Sequence, residues 1–267
     1  MLKPKLYIFD IDGTLLTTDY KILPSTKEAM RLLAEGKLSA PIMLASARSP
    51  KAIDPIAKEL NLEPLYISLN GAFIVQGDRV LYENPMEQQA AEMVISIGQE
   101  VGLSVNVYSK WDWYISEENP WSSHEGKMVG WQGQVRDLHG LETHKILLMG
   151  EQELILETQQ KLQKEVPGVS AQGSIPHYLE IVDASASKGH ALEIVSELLE
   201  VPFEYMVAFG DGENDLAMLK RAGFAVAMGN AHPSLKAEAD LVTLDNDSDG
   251  IFQAVQRILE LEPGALD

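Results

Sequence analysis

Two aspartates separated by one isoleucine, Asp10-Ile11-Asp12-Gly13, close a short apolar run near the start of the chain. Alternate side chains of an extended segment point the same way, so the two carboxylates are expected to crowd together and to need a cation. An isolated Asp-x-Asp-Gly reads more simply as a capped turn. Here a second acidic motif, Gly210-Asp211-Gly212-Glu213-Asn214-Asp215, follows another apolar run over 205–209. If both runs are parallel strands, their C-terminal ends meet at one crevice, where open α/β sheets bind ligands. Three or four carboxylate oxygens without His or Cys suit Mg2+, a hard ion that prefers oxygen and keeps several waters.

Lys188 follows Ser187, a candidate N-cap, at the head of a helical pattern carrying Ala191, Ile194, Val195 and Leu198. A cation there opposes the helix macrodipole unless an anion shares the site, and a bound phosphate would resolve the conflict. For a single lysine the commoner alternative is a solvated surface residue. Ser46, after the run 41–45, offers a hydroxyl to the same anion, although singly it reads as an ordinary turn serine.

The elements that must position these residues alternate in type. Runs at 5–10, 41–45 and 65–68 read as buried strands, with a helix over 25–36 entered through a capping box at Pro24-Ser25-Thr26-Lys27-Glu28 and another opened by Ser49-Pro50. Pro55 is expected to kink or weaken that second helix. Strands at 205–209 and 224–227, a helix through Leu216 and Leu219 and a last amphipathic helix from 250 to 260 resume the pattern. Alternating βα units predict an α/β fold, a Rossmann-like doubly wound parallel sheet made of residues 1–82 and 187–267. Residues 83–186 differ: a helix carrying Ala90, Val94, Ile97 and Val101, an aromatic hairpin-like stretch from Val105 to Ile115, strands at 145–149 and 178–182, and a helix over 151–165. That segment reads as an inserted α+β domain. All four tryptophans, Trp111, Trp113, Trp121 and Trp131, lie in it, and the segment is therefore expected to build a separate small core.

Composition bounds the partners. The 267 residues carry 21 Lys+Arg against 40 Asp+Glu, a net charge of −19, which disfavours nucleic acid and anionic membrane surfaces. Hydrophobic content of 45% with 23% charged residues is that of a globular protein. The chain has no Cys, so thiolate chemistry is excluded. No run approaches the roughly 18 apolar residues of a membrane span, and the expectation is a soluble cytoplasmic protein.

Taken in order, the motifs resemble those of the haloacid dehalogenase superfamily of phosphohydrolases, in its Cof-type branch with a large α/β cap. Asp10-Ile11-Asp12-Gly13-Thr14-Leu15-Leu16 is similar to its first motif, Ser46 to its second, Lys188-Gly189 to its third and Gly210 to Asp215 to its fourth. Asn70-Gly71-Ala72 and Met228-Gly229-Asn230-Ala231 are similar to accessory patterns. Where the family commonly has Thr-Gly-Arg, this chain has Ser46-Ala47-Arg48. The hydroxyl is kept, but Ala47 lacks the backbone freedom of glycine, which bears on the turn and on where Arg48 points.

The resemblance implies a Mg2+-dependent phosphatase of small phosphorylated metabolites. Asp10 would form an aspartyl-phosphate; Asp12 would protonate the leaving oxygen, then deprotonate water, its carbonyl joining the Asp10 and Asp211 side chains on the metal. Ser46, Lys188 and Asn214 would bind the phosphoryl oxygens, Arg48 and Asn70 would complete the substrate-binding set, and Asp215 would position Lys188 or a metal-bound water. The insertion would be the cap that excludes water and sets specificity. Sugar phosphates are the first choice of substrate, ahead of nucleotides, pyridoxal phosphate and flavin mononucleotide. Tyr108, Trp111, Trp113 and Tyr114 either stack on a substrate ring or pack the cap's own sheet, the second being favoured for most of them; His177 and Glu180 are weaker candidates for contact with substrate.

Other readings stay open. A phosphomutase would use the same aspartyl-phosphate, and a non-catalytic phospho-ligand sensor the same fold, although retention of every motif carboxylate counts against a sensor. Asp245 to Gly250 matches half of a calcium loop, but position twelve is Gln256, and a capped turn into the last helix fits better.

Overall fold

The computed structural model describes residues 3–36 and 38–260. Five strands come first: β1 (Leu6–Asp10), β2 (Ile42–Ala45), β3 (Leu65–Ser68), β4 (Phe73–Gln76) and β5 (Arg79–Glu83). Six follow, β6 (Ser104–Ser109), β7 (Asp112–Ile115), β8 (Gln134–Val135), β9 (Lys145–Met149), β10 (Val169–Gly173) and β11 (Tyr178–Asp183), and then β12 (Met206–Gly210), β13 (Phe224–Ala227) and β14 (Leu241–Val242). The helices are α1 (Pro24–Glu35), α2 (Pro50–Glu59), α3 (Gln88–Glu100), α4 (Pro120–Val129), α5 (Gln152–Glu165), α6 (Lys188–Leu198), α7 (Leu216–Leu219), α8 (Pro233–Glu238) and α9 (Gly250–Glu260). None of the described helices is long and apolar enough to cross a membrane.

The first sheet has the order β14-β13-β12-β1-β2-β3-β4-β5, parallel from β14 to β3, with β4 and β5 added antiparallel. All five residues of β1 are buried, which is why its sequence is a continuous apolar run up to Asp10 and not an alternating one. From β1 the chain winds one way through β2 and β3; after the second sheet it re-enters through α6 and β12 on the other side of β1. The direction of winding therefore reverses between β1 and β12. Such a switch point opens a crevice at the carboxyl ends of its two strands, where Asp10 and Asp211 stand.

Local details depart from the sequence expectations. Helix α1 begins one residue earlier, with Leu23 at the cap position and Pro24 inside the first turn, and no side chain caps it. Ser25 turns instead to Asp249, so the capping-box reading is corrected by a tertiary hydrogen bond. Pro55 lies inside α2 without ending it; burial of Ala52, Ile53 and Ala57 on the sheet outweighs the local cost of the proline. The helix expected through Leu216 and Leu219 is present as one short α-helical turn, entered through a 3-10 turn at Glu213–Asp215.

The second sheet has the order β10-β11-β9-β6-β7-β8, antiparallel except between β7 and β8. Alternation divides its two faces. Val105, Val107, Ile146, Leu148, Leu179 and Ile181 join α3 and α5 in an aliphatic core. Tyr108, Trp113, Leu147 and Met149 face the other way and join a cluster continuous with the first sheet. The inserted segment does build a small core of its own, as expected, but the tryptophans do not join it. Trp113 is buried in that shared cluster, Trp111 sits edge-on to Phe73 of β4 at 5.0 Å, and the second sheet's private core contains no tryptophan. One face packs on helices and the other joins the first sheet's cluster, and the rings lie on that second face.

The two sheets are tied at their edge by Lys110, whose ammonium lies 3.0 Å from both Glu83 and Glu142. His144 is buried beside them against Phe73. Glu83, Glu142 and His144 are close enough to share an ion, but Lys110 already supplies the cation.

Candidate active site

Asp10 ends β1 with only 5% of its surface exposed, and Lys188, 1% exposed at the first turn of α6, donates to its Oδ1 at 2.5 Å. The same ammonium donates to Asp215 Oδ1 at 2.6 Å. Asp215 Oδ2 in turn accepts from the backbone N–H groups of Asp211 and Gly212, at 3.1 and 3.0 Å, and so shapes the turn after β12. Ser187 caps α6 by accepting from the His190 N–H at 3.0 Å. Lys188 is therefore no solvated surface lysine: the anions that offset its position at a helix N-terminus are Asp10 and Asp215.

Asp211 is held by the Thr14 hydroxyl, which donates to Oδ1 at 2.9 Å, and by Asn230, whose amide donates to Oδ2 at 3.2 Å and to the Gly13 carbonyl at 2.9 Å. Gly13 has φ +84°, and a Cβ there would lie 2.3 Å from Asp211 Oδ2, so only glycine lets the first motif approach the fourth this closely. Asp12 does not crowd against Asp10. The strand ends at Asp10, and the N–H groups of Thr14, Leu15 and Leu16 all turn back to the Ile11 carbonyl, which breaks the alternation. The Asp12 carboxylate instead receives a bidentate pair from Arg48, at 2.8 and 2.6 Å.

Ser46 is buried just beyond β2, where its hydroxyl accepts from the Arg48 N–H at 3.1 Å. Ala47 does not take a positive φ, so the position makes no demand for glycine, and its carbonyl accepts from Lys145 at 2.8 Å. Asn70 sits where the chain is strained: Leu69, Asn70 and Gly71 all have positive φ, at 51°, 56° and 94°. A Cβ on Gly71 would lie 2.3 Å from the Ser187 carbonyl, so this loop is pressed onto the start of α6. Its amide donates to Glu180 Oε2 at 2.5 Å, and its carbonyl oxygen faces the Asn214 amide at 3.5 Å. Asp10, Asp211, Asp215 and Lys188 thus form one group; Asn70 and Asn214 form its rim; Asp12, Ser46 and Arg48 form the opposite wall.

Electrostatics in this group are unbalanced. Burial first, and then the Asp215 charge, push the Asp10 carboxyl well above the usual carboxylate range against the pull of Lys188. Asp211 is pushed up to about 6 by burial and by Asp215. Burial alone would favour a neutral Lys188, but Asp10 and Asp215 outweigh it and hold the ammonium protonated. Burial likewise opposes the Arg48 charge, and Asp12 overcomes it.

This order of motifs at a switch point has relatives. The sequence pattern of the haloacid dehalogenase-like hydrolases matches residues 7–255. The chain belongs to that family. A protein of Haemophilus influenzae that bears the provisional name of a phosphatase is 34% identical over 254 residues, spanning 92% of this chain and 95% of its own length. The HMP-PP phosphatase of Klebsiella pneumoniae is 30% identical over 262 residues, or 96% of this chain and 94% of that one. A haloacid dehalogenase-like hydrolase from Bacteroides thetaiotaomicron superposes with a TM-score of 0.88 at 28% identity, covering 96% of this chain and 100% of the other.

In this haloacid dehalogenase-like hydrolase the acidic group fits a divalent cation. Asp10, Asp211 and Asp215 each offer a carboxylate oxygen, all within 4.8 Å of one another, and Asp10 Oδ2 is buried without any hydrogen-bond partner among the described residues. An all-oxygen set with an orphaned carboxylate oxygen suits a hard ion. The Asp12 carboxylate is not in the set, being engaged by Arg48. Several residues of the hydrolase's site escape a reading by motif type. Thr14 and Asn230 lie inside quoted motifs, but nothing in their type announced that both would grip Asp211. Lys145 and Glu125 come from the second sheet and its helix α4 and lie in no motif; Glu180, a weaker candidate in the sequence, stands on β11 in alternation with Leu179 and Ile181.

Proposed function

We propose that the protein is a Mg2+-dependent phosphatase that removes phosphate from small phosphorylated metabolites through an aspartyl-phosphate on Asp10. The observation that carries this reading is the orphaned, buried Asp10 Oδ2 inside a trio of carboxylates, beside a buried ammonium, at the reversal between β1 and β12. The names of the relatives as phosphatases support the same reaction class.

The Asp10 and Asp211 carboxylates and the Asp12 carbonyl would hold Mg2+, which supplies positive charge to the attacking carboxylate and to the phosphoryl oxygens. Asp10 attacks phosphorus in line; its new P–O bond forms as the ester P–O bond breaks. Asp12 delivers a proton to the departing oxygen. It then takes a proton from the water that attacks phosphorus, and the Asp10–phosphorus bond breaks to release inorganic phosphate. Lys188, Ser46 and Asn214 bind the phosphoryl oxygens, with Asp215 fixing the Lys188 ammonium. Arg48 engages the Asp12 carboxylate in the resting state, so it must leave that carboxylate, which is then free to take up the proton it delivers, when substrate enters, and the phosphoryl group is the better partner for a guanidinium. The inserted sheet acts as the cap. It touches the core across the crevice through Asn70–Glu180, Lys145–Ala47 and Lys51–Asp112, and such closure excludes water. Sugar phosphates remain the first substrate class.

Phosphate release from sugar phosphates, nucleotides and pyridoxal phosphate, measured with Mg2+ and with EDTA for the wild type and Asp10→Asn, tests the proposal. Metal-dependent release lost in the variant is expected. Absence of release from every ester by folded, Mg2+-supplemented protein would overturn it.

A further inference from the structure

A cavity of about 110 Å3 adjoins the phosphoryl-binding residues, walled by Asn70, Lys188, Glu213 and Asn214 on the first-sheet side and by Gln172 and Glu180 on the second sheet. It is small beside the roughly 300–1,000 Å3 pockets that take drug-sized ligands. Among the described residues that line it, none is aromatic, and Lys188 is the only cation, already shared by Asp10 and Asp215. The rings that the sequence offered for stacking are elsewhere: Tyr108 and Trp113 are buried in packing, and Trp111 is against Phe73.

Glu180 is the one charged side chain that the second sheet presents to this cavity. It is 9% exposed and rigidly held, with Oε2 taking the Asn70 amide and lying 3.2 Å from the Lys145 ammonium. Lys145 is itself anchored by the Ala47 carbonyl at 2.8 Å and by the Tyr108 ring at 5.5 Å, so the pair does not swing. Oε1 of Glu180 has no partner among the described residues, which leaves a fixed acceptor carrying negative charge next to the place of reaction. Glu213 adds a second carboxylate to the same wall.

Resting on the phosphatase reading above, we infer that Glu180 determines the choice of leaving group: it accepts a hydrogen bond from a hydroxyl and rejects a second anionic group. The chemistry selects monophosphates of small uncharged polyols. A leaving group with its own carboxylate or phosphate would be set against Glu180 and Glu213 with no free cation to meet it, and like charges so placed are strongly unfavourable. A heteroaromatic leaving group finds no ring to stack on.

Two matched pairs test this, because each differs only in a CH2OH in place of a carboxylate: sorbitol 6-phosphate against 6-phosphogluconate, and glycerol 3-phosphate against 3-phosphoglycerate. For the wild type with Mg2+, kcat/KM is expected to favour the polyol ester by about tenfold or more in at least one pair. In Glu180→Gln that ratio is expected to fall toward one, through a lower KM for the carboxylate ester. Turnover of p-nitrophenyl phosphate by both proteins reports the reaction itself; its absence in the wild type means the phosphatase reading has failed. If p-nitrophenyl phosphate is turned over and neither polyol ester exceeds its carboxylate counterpart, the inference is overturned, whatever the variant does. A wild-type preference that Glu180→Gln leaves intact assigns the selection to another residue and overturns it as well.

Discussion

Two groups of buried charge face each other across the crevice, and they are built on opposite principles. Beyond the ends of β1 and β12, three carboxylates cluster around a single ammonium that bonds Asp10 and Asp215, and Asp10 Oδ2 is left without a partner among the described residues. On the facing surface of the second sheet, Glu125 takes the hydroxyls of Tyr108 and Tyr178, at 2.6 and 2.9 Å, and Glu180 takes Lys145 and Asn70. The second group also has more carboxylate than ammonium, but hydroxyl, amide and ammonium donors hold both of its carboxylates, so it can be rigid without any ion. The first is short of positive charge, an arrangement that persists in the interior only if something else supplies it. An incomplete site is where chemistry is done; a satisfied one fixes the shape that the chemistry sees.

That contrast can be broken in order of effect. Asp10→Asn removes the nucleophile and is expected to lower phosphatase turnover by roughly 10^4-fold or more, read from steady-state phosphate release. Retained activity would move the nucleophile off β1. Next, Lys188→Met leaves the acidic trio without its cation; breaking such a buried pair costs about 3–5 kcal/mol, measured as a lowered urea midpoint in EDTA, with partial recovery in Mg2+. On the hydrogen-bonded side, Glu125→Gln disturbs two tyrosine hydrogen bonds at a cost of about 1–3 kcal/mol, and the midpoint should fall equally with and without Mg2+. A Mg2+-dependent loss there would mean the two groups are not separate.

The smallest effect is one of pH. Asp211 ionises at about 6 in the metal-free folded protein against 3.8 for a free side chain, so between those values the folded state binds more protons than the unfolded one. Stability contributed by this group therefore falls as pH rises through that window. In EDTA, the stability gained by Asp211→Asn over the wild type should grow by on the order of 1 kcal/mol from pH 4 to pH 6. Saturating Mg2+ should remove or reverse the trend, because the ion favours the carboxylate.

Much of the first sheet was legible in the sequence for one reason: parallel strands buried on both faces are written as unbroken apolar runs, and β1, β2, β3, β12 and β13 all are. Strands β5 and β10 carry no such run or clear alternation and were not read, and β4, although Phe73 to Val75 is an apolar run, was passed over beside the Asn70-Gly71-Ala72 motif. The site was legible where motifs follow those strands, as at Asp10, Ser46 and Asp211. It was misread where geometry depends on the turn and not the strand, since Asp12 lies past the last extended residue and answers to Arg48 instead of standing beside Asp10. Lys188 could be suspected but its burial could not, because its partners lie 178 and 27 residues away. The separate core of the inserted segment was legible, but not its members, because a ring reports burial without saying which of two cores it joins.

The central claim is that Asp10 carries the phosphoryl group. In Asp12→Asn the water that clears the intermediate lacks its base, while p-nitrophenolate departs without help from an acid. Acid-quenching this variant with p-nitrophenyl phosphate and Mg2+, then weighing its peptides, tests the claim directly. The account predicts that the peptide containing Asp10 gains the mass of one phosphoryl group, and that Asp10→Asn does not. An unmodified Asp10 peptide, under conditions where p-nitrophenolate has been released in at least one equivalent, would contradict it.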